Sequence, residues 1–172
     1  MENLLSKRLY EFPRKLKFLC FITVMNLTIG VGVGLYYVFQ TTQLTTNGTE
    51  EHFRGSIIKD DFEIPEKYPK PTSELLNTTH THILSMTFIF LIIGGLFYFN
   101  SIITGILKTF LIIEPFISIL LTFGGIWLIR FIHPSFSYLV IISGSLMYLC
   151  FFIMIITISY ELIMKNNKRK EL

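Results

Sequence analysis

Cysteine is nearly absent: the 172 residues hold two, Cys20 near one end of a first apolar run and Cys150 inside a last one. Neither spacing forms a disulfide framework or a zinc site, so both thiols read as packing residues. No P-loop, GxSxG, HExxH, CxxCH or CxxC occurs. That rules out covalent c-type haem by its usual motif and leaves no hydrolase nucleophile set. With no legible combination of acid, base and nucleophile, the chain does not read as an enzyme. Net charge is only +3, and no nucleic-acid partner is expected. Internal repeats are also missing.

What is present is apolar length. About half of the residues are hydrophobic and the mean hydropathy is +0.56. They come in long blocks, whereas a soluble domain of this size would show shorter amphipathic runs. The lipid bilayer is therefore the expected surrounding. At roughly 20 residues per crossing, four spans are expected, at about 18–39, 72–99, 109–129 and 138–163. The first follows a basic segment, as in a signal peptide, but it is too long for that and no small-residue cleavage site follows before Gln40. Residues 40–71 form the long polar loop, expected to be ordered but irregular because of Asn47-Gly48, Pro65, Pro69 and Pro71. The fold class read here is all-α: a four-helix up-down integral membrane bundle, with 1–172 as a single membrane domain.

Lysine and arginine placement orients it. Lys7, Arg8, Arg14, Lys15 and Lys17 precede the first span, Lys108 follows the second, and Lys165, Lys168, Arg169 and Lys170 follow the fourth. Ten basic residues thus lie on one side, against five on the other. Both termini are expected in the cytoplasm, and the 40–78 segment outside a bacterial inner membrane. Glu50, Glu51, Asp60, Asp61, Glu63, Glu66 and Glu74 then also lie outside.

This topology puts all four histidines, His52, His80, His82 and His133, on the outer side. Part of that follows simply from histidine avoiding apolar spans. His80 and His82 carry more, because they sit where the loop becomes an apolar run and a polar ring needs a partner. On a regular helix, residues two apart point about 200° apart, so if both are ligands they serve two sites, or one is oriented by the other's surroundings. Only an irregular backbone would let them bind one copper or zinc ion. Met86, four residues after His82, adds a thioether suited to copper or to a haem axial position.

Gly30, Gly32, Gly34, Gly124, Gly125 and Gly144 lie in the outer halves of their spans. Close helix packing is the commoner reason for such glycines, and room for a flat cofactor the rarer one. Arg54 and Arg130 suit pairing with loop carboxylates first, and a haem propionate second. Glu114, before Pro115, reads as the one carboxylate within an apolar run, roughly 9 Å inside its cytoplasmic end at 1.5 Å per residue.

Glu51-His52-Phe53-Arg54-Gly55, followed by Thr79-His80-Thr81-His82 and Ser85-Met86, resembles a group of small bacterial four-span membrane proteins of unknown function. The likeness runs from about residue 18 to 163 and implies topology without an activity. Locally, His80-Thr81-His82 is similar to the haem-bearing helix of haem-copper oxidase subunits, which implies two rings facing different haems. The leading expectation is an outward site for b-type haem or for copper or zinc. Its cofactor-binding residues would be His80, His82, His52, Arg54 and Met86, and its metal ligands would come from His80, His82, His52 and His133. The chain would then be an electron-transfer or accessory subunit of a larger membrane redox complex, or a homo-oligomer. The rival is a cofactor-free structural or assembly protein. A transporter ranks third, since one buried charge makes a poor path across a bilayer.

Overall fold

The computed structural model describes residues 7–56 and 64–164. Asp60, Asp61 and Glu63 of the loop and the basic cluster Lys165, Lys168, Arg169 and Lys170 lie outside the described residues. A 3-10 turn at Leu9–Glu11 precedes five helices: α1 Arg14–Thr42, α2 Thr46–Arg54, α3 Thr72–Tyr98, α4 Gly105–Phe131 and α5 Phe136–Ile163. The described residues contain no strand. Helices α1, α3, α4 and α5 are each long and apolar enough to cross a membrane. This is an all-helical integral membrane protein.

The apolar runs become helices because every backbone N–H and C=O must be satisfied within the segment once water is gone. Proline sets two of the starts: Pro13 and Pro71 stand directly before α1 and α3, where a missing N–H costs nothing. Pro115 lies inside α4, and the helix continues past it to Phe131.

Successive spans run in opposite directions. Their polar ends meet at two levels, here named the cap end, where α1 leads into α2, and the tail end, where α3 turns into α4. Helices α4 and α5 pack most closely, α3 lies against both, and α1 is the least embedded. The core joins Phe90, Ile93 and Phe97 of α3, Leu111 and Ile119 of α4, and Met147, Phe151 and Met154 of α5. Outward-facing Ile29, Val33, Phe88, Ile142 and Ile156 stay exposed. Such an apolar band would be an aggregation hazard in water and is what lipid requires.

Gly125 is where close packing demands a glycine. A Cβ there would come within 2.6 Å of Val140 Cγ2 on α5. Gly30, Gly32 and Gly34 behave differently, since a Cβ on any of them would meet nothing within 4 Å. The expected tight packing at these α1 glycines is not made within this chain.

The expectation that the polar loop is irregular also needs correction, because residues 46–54 form α2. Thr45 caps it, its Oγ accepting from the Gly48 N–H at 3.0 Å. Asn47-Gly48 reads as a turn in isolation, but here it lies in the first turn of a helix that packs on α1 and on the cap ends of α4 and α5. Burial against those helices outweighs the weak propensity of glycine.

Candidate functional site

The cap end is built by folding residues 64–71 back onto α2. Gly55 ends α2 with φ +91°, and a Cβ there would lie 2.8 Å from the Pro69 ring. Both the left-handed backbone and the close approach therefore call for glycine. Ser56 N–H donates to the Lys67 carbonyl at 3.0 Å, Lys67 N–H to Ser56 Oγ at 3.1 Å, and Lys70 N–H to the Phe53 carbonyl at 3.1 Å. Arg130 Nε donates to the Lys70 carbonyl at 3.1 Å, and Trp127 Nε1 to Thr79 Oγ1 at 2.8 Å. The first four bonds tie the returning segment to α2 on one side and to the end of α4 on the other, and the Trp127 bond joins α3 to α4.

The result is a cleft of about 400 Å³ lined by Gln40, Thr41, His52, Lys67, Tyr68 and Lys70. Lys67 Nζ reaches the Thr41 carbonyl at 3.4 Å and lies 3.9 Å from Glu51, while Lys70 pairs with Glu74. His52 is half-buried, with its ring edge-on to Phe53 at 4.8 Å. Loss of solvent pushes its pKa below the ordinary value of 6.5. Lys70 and Lys67 push it the same way, and Glu74 partly offsets them. An imidazole sharing a cleft with two ammonium groups offers hydrogen bonds in a positive local field, which suits the oxygens of an anion.

The other histidines lie elsewhere. His80 and His82 are on an unbroken stretch of α3, so the irregular backbone needed for one shared ion is not there. His82 turns toward α4, with its ring 5.2 Å from that of Phe123, and its Nδ1–H donates to the Thr78 carbonyl at 2.9 Å. His80 is exposed on another face of the helix. His133 is exposed in the α4–α5 turn, with Nδ1 accepting from the Ser135 N–H at 3.2 Å. Met86 is half-buried against the core, and Arg54 is exposed. Arg130 spends its Nε on a backbone carbonyl rather than a loop carboxylate. Among the described residues, no three of the His, Cys, Asp and Glu side chains form a group that could hold a metal ion.

Lys67, Lys70, Gln40, Thr41 and Tyr68 were not singled out from the sequence. Only the spacing Lys67-x-x-Lys70 between Pro65, Pro69 and Pro71 hinted at a stiff segment presenting two cations. Glu161 also lies within an apolar run, that of the fourth span. It is 0 % exposed near the end of α5, so Glu114 is not the one carboxylate buried in an apolar run. Both Ser101 N–H and Ser101 Oγ donate to it, at 2.9 and 2.7 Å.

In comparison with known proteins, a family model described as a transmembrane helical domain matches residues 43–169. The match takes in α2 to α5 and leaves out α1. No curated protein and no solved structure is matched.

Proposed function

The chain belongs to a family of transmembrane helical domains, and on that footing we propose that it is a membrane accessory protein holding an anionic group in the cleft at its cap end. The observation that carries this reading is the convergence of His52, Lys67 and Lys70, from two separate segments, on one cleft beside the end of α1. Phosphate and carboxylate are the groups whose oxygens such donors fit. By the distribution of lysine and arginine, the cleft faces the extracytoplasmic side of a bacterial cytoplasmic membrane. At the level where α1 leaves the bundle, a lipid headgroup and a soluble anion can both reach it.

The test is titration of the full chain, in bilayer discs of zwitterionic lipid, with inorganic phosphate and separately with short-chain phosphatidylglycerol. Lys67→Gln combined with Lys70→Gln should weaken whichever anion binds by roughly tenfold or more, since each removes a charge-assisted bond. Equal affinity in the double variant and the parent would refute the reading.

A second reading, b-type haem or copper or zinc, draws on His82. Donation from its Nδ1 to a backbone carbonyl orients the ring and leaves Nε2 as the coordinating atom, the arrangement typical of ligating histidines. His80 points away, so a second ligand would come from another copy or from a partner in a redox complex. Optical spectra of oxidised and reduced protein, with metal analysis, decide it. Protein expressed with haem and metals available that shows no Soret band and no bound metal would remove this reading.

A further inference from the structure

The outer face of α1, the least embedded span, carries an amide at a depth where lipid offers it no partner. Asn26 stands eight residues after Phe18 and thirteen before Phe39 in the first apolar run, about 12 and 20 Å from its two ends at 1.5 Å per residue. It is exposed, whereas Cys20, Val24 and Val31 of the same helix are buried against the bundle. Those three lie about 120–160° round α1 from Asn26, so the carboxamide points away from the rest of the chain. Among the described residues, side-chain hydrogen bonds on α1 involve Thr28, Tyr36, Gln40, Thr41 and Thr42, and none involves Asn26.

A carboxamide brings two N–H donors and a carbonyl acceptor, and leaving them unanswered in hydrocarbon is costly. Bonding back to a carbonyl of α1 would answer one donor and leave the acceptor open. The group is its own complement, because two amides set face to face exchange donor and acceptor. Copies of one chain inserted in the same orientation hold Asn26 at the same depth. A two-fold axis along the membrane normal then brings this residue against itself, whereas an unrelated partner would need a polar group of its own at that level. Gly30 and Gly34 follow Asn26 at about one and two turns, and a Cβ on either would meet nothing within 4 Å. Leu19, Ile22, Ile29, Val33 and Tyr37 fall within about 60° of Asn26, and all are exposed. The glycines therefore leave a shallow furrow beside apolar side chains, where a second helix can come close enough for two short Asn side chains to meet. We propose that the chain forms a parallel homodimer through α1, held by an Asn26–Asn26 amide pair and by close contact at Gly30 and Gly34.

The test counts copies of the full chain, tagged with a fluorophore at its carboxy terminus, by stepwise photobleaching in liposomes as added lipid dilutes the protein. A transition from dimer to monomer is expected. Asn26→Leu should move it to a roughly three- to thirtyfold higher protein-to-lipid ratio, the range for a polar pair between membrane helices. Asn26→Gln, which keeps the carboxamide, should recover much of that loss. Gly30→Val should weaken the dimer too, whereas Gly32→Val, about 120° round the helix from Asn26, should not. Diluted to monomers, both glycine variants should unfold like the parent, because a Cβ at either position meets nothing of its own chain within 4 Å. That separates a lost contact between copies from misfolding. Oxidation of membranes carrying Val33→Cys should yield disulfide-linked dimers. A parent chain that stays monomeric at every dilution, or a dimer that Asn26→Leu leaves intact, would overturn the proposal. So would dimers linked through Ile117→Cys on α4 and not through Val33→Cys, because the copies would then meet on another face.

Discussion

Glu161→Ala should loosen the tail end of the bundle in a way that can be worked out from its contacts. The carboxylate is fully buried and receives two hydrogen bonds from Ser101, sixty positions earlier in the chain. It therefore pins the α3–α4 connection to α5. The neighbouring contacts tighten the same connection: Leu9 N–H donates to the Phe99 carbonyl at 3.0 Å, Lys108 Nζ to the Asn100 carbonyl at 2.8 Å, and Ile103 N–H to Asn100 Oδ1 at 2.9 Å. Truncation takes the carboxylate away from two half-buried donors of Ser101, each loss worth about 1–3 kcal/mol. Their sum is about 2–6 kcal/mol. The lower half is the better expectation, because the connection lies at the membrane surface where water can replace part of the loss. Glu161→Gln keeps one acceptor oxygen and should cost about half as much. Unfolding of the purified protein in mixed micelles, titrated with a denaturing detergent, measures both. A double-mutant cycle with Ser101→Ala isolates the pair, for which the expected coupling is about 1–3 kcal/mol. A Glu161→Ala protein within about 0.5 kcal/mol of the parent would refute the reasoning, since surface substitutions alone fall in that range.

Gly125→Val should open the α4–α5 seam, costing about 1–3 kcal/mol by overpacking against Val140, whereas Gly30→Val should leave unfolding unchanged. The same detergent titration compares them. Because burial and two lysines hold His52 below its ordinary value, the unfolded chain binds the proton more readily than the folded one. The His52 contribution is therefore complete above about pH 6.5 and is lost as pH falls toward the lowered folded value. His52→Gln should flatten that part of a stability profile. If the cleft takes an anion, affinity should instead rise on acidification over the same window, as a third cation forms, and binding titrations at successive pH values read this directly. Trp127→Phe should cost about 1 kcal/mol through its bond to Thr79, and partial proteolysis of the 64–71 segment would reveal a loosened cap.

The membrane-spanning character of this protein was legible in the chain because hydropathy is local. A run of twenty apolar residues declares a span whatever surrounds it. Pro71 before Thr72 marked the start of α3 in the same local way, whereas α1 begins at Arg14, ahead of the apolar run that marks its span. Helix α2 was hidden because the Thr45 cap and Gly55 terminator stood around an Asn-Gly pair that reads as a turn. Its stability comes from α1 beside it and from α4 and α5, which lie far from it in sequence.

Helix rotation and loop path were not legible, and they decided the sites. Periodicity alone separated His80 from His82, but only the packed bundle shows that His82 faces Phe123. The sequence by itself determined that ionisable residues would be scarce in lipid, so each one inside would need an answer. Tertiary structure decided which answer: Ser101 for Glu161, Ser118 for Glu114, and the folded-back Lys67 and Lys70 beside His52. Those partners lie four to sixty residues away, and hydrogen bonding reads distance in space, which only the assembled helices define.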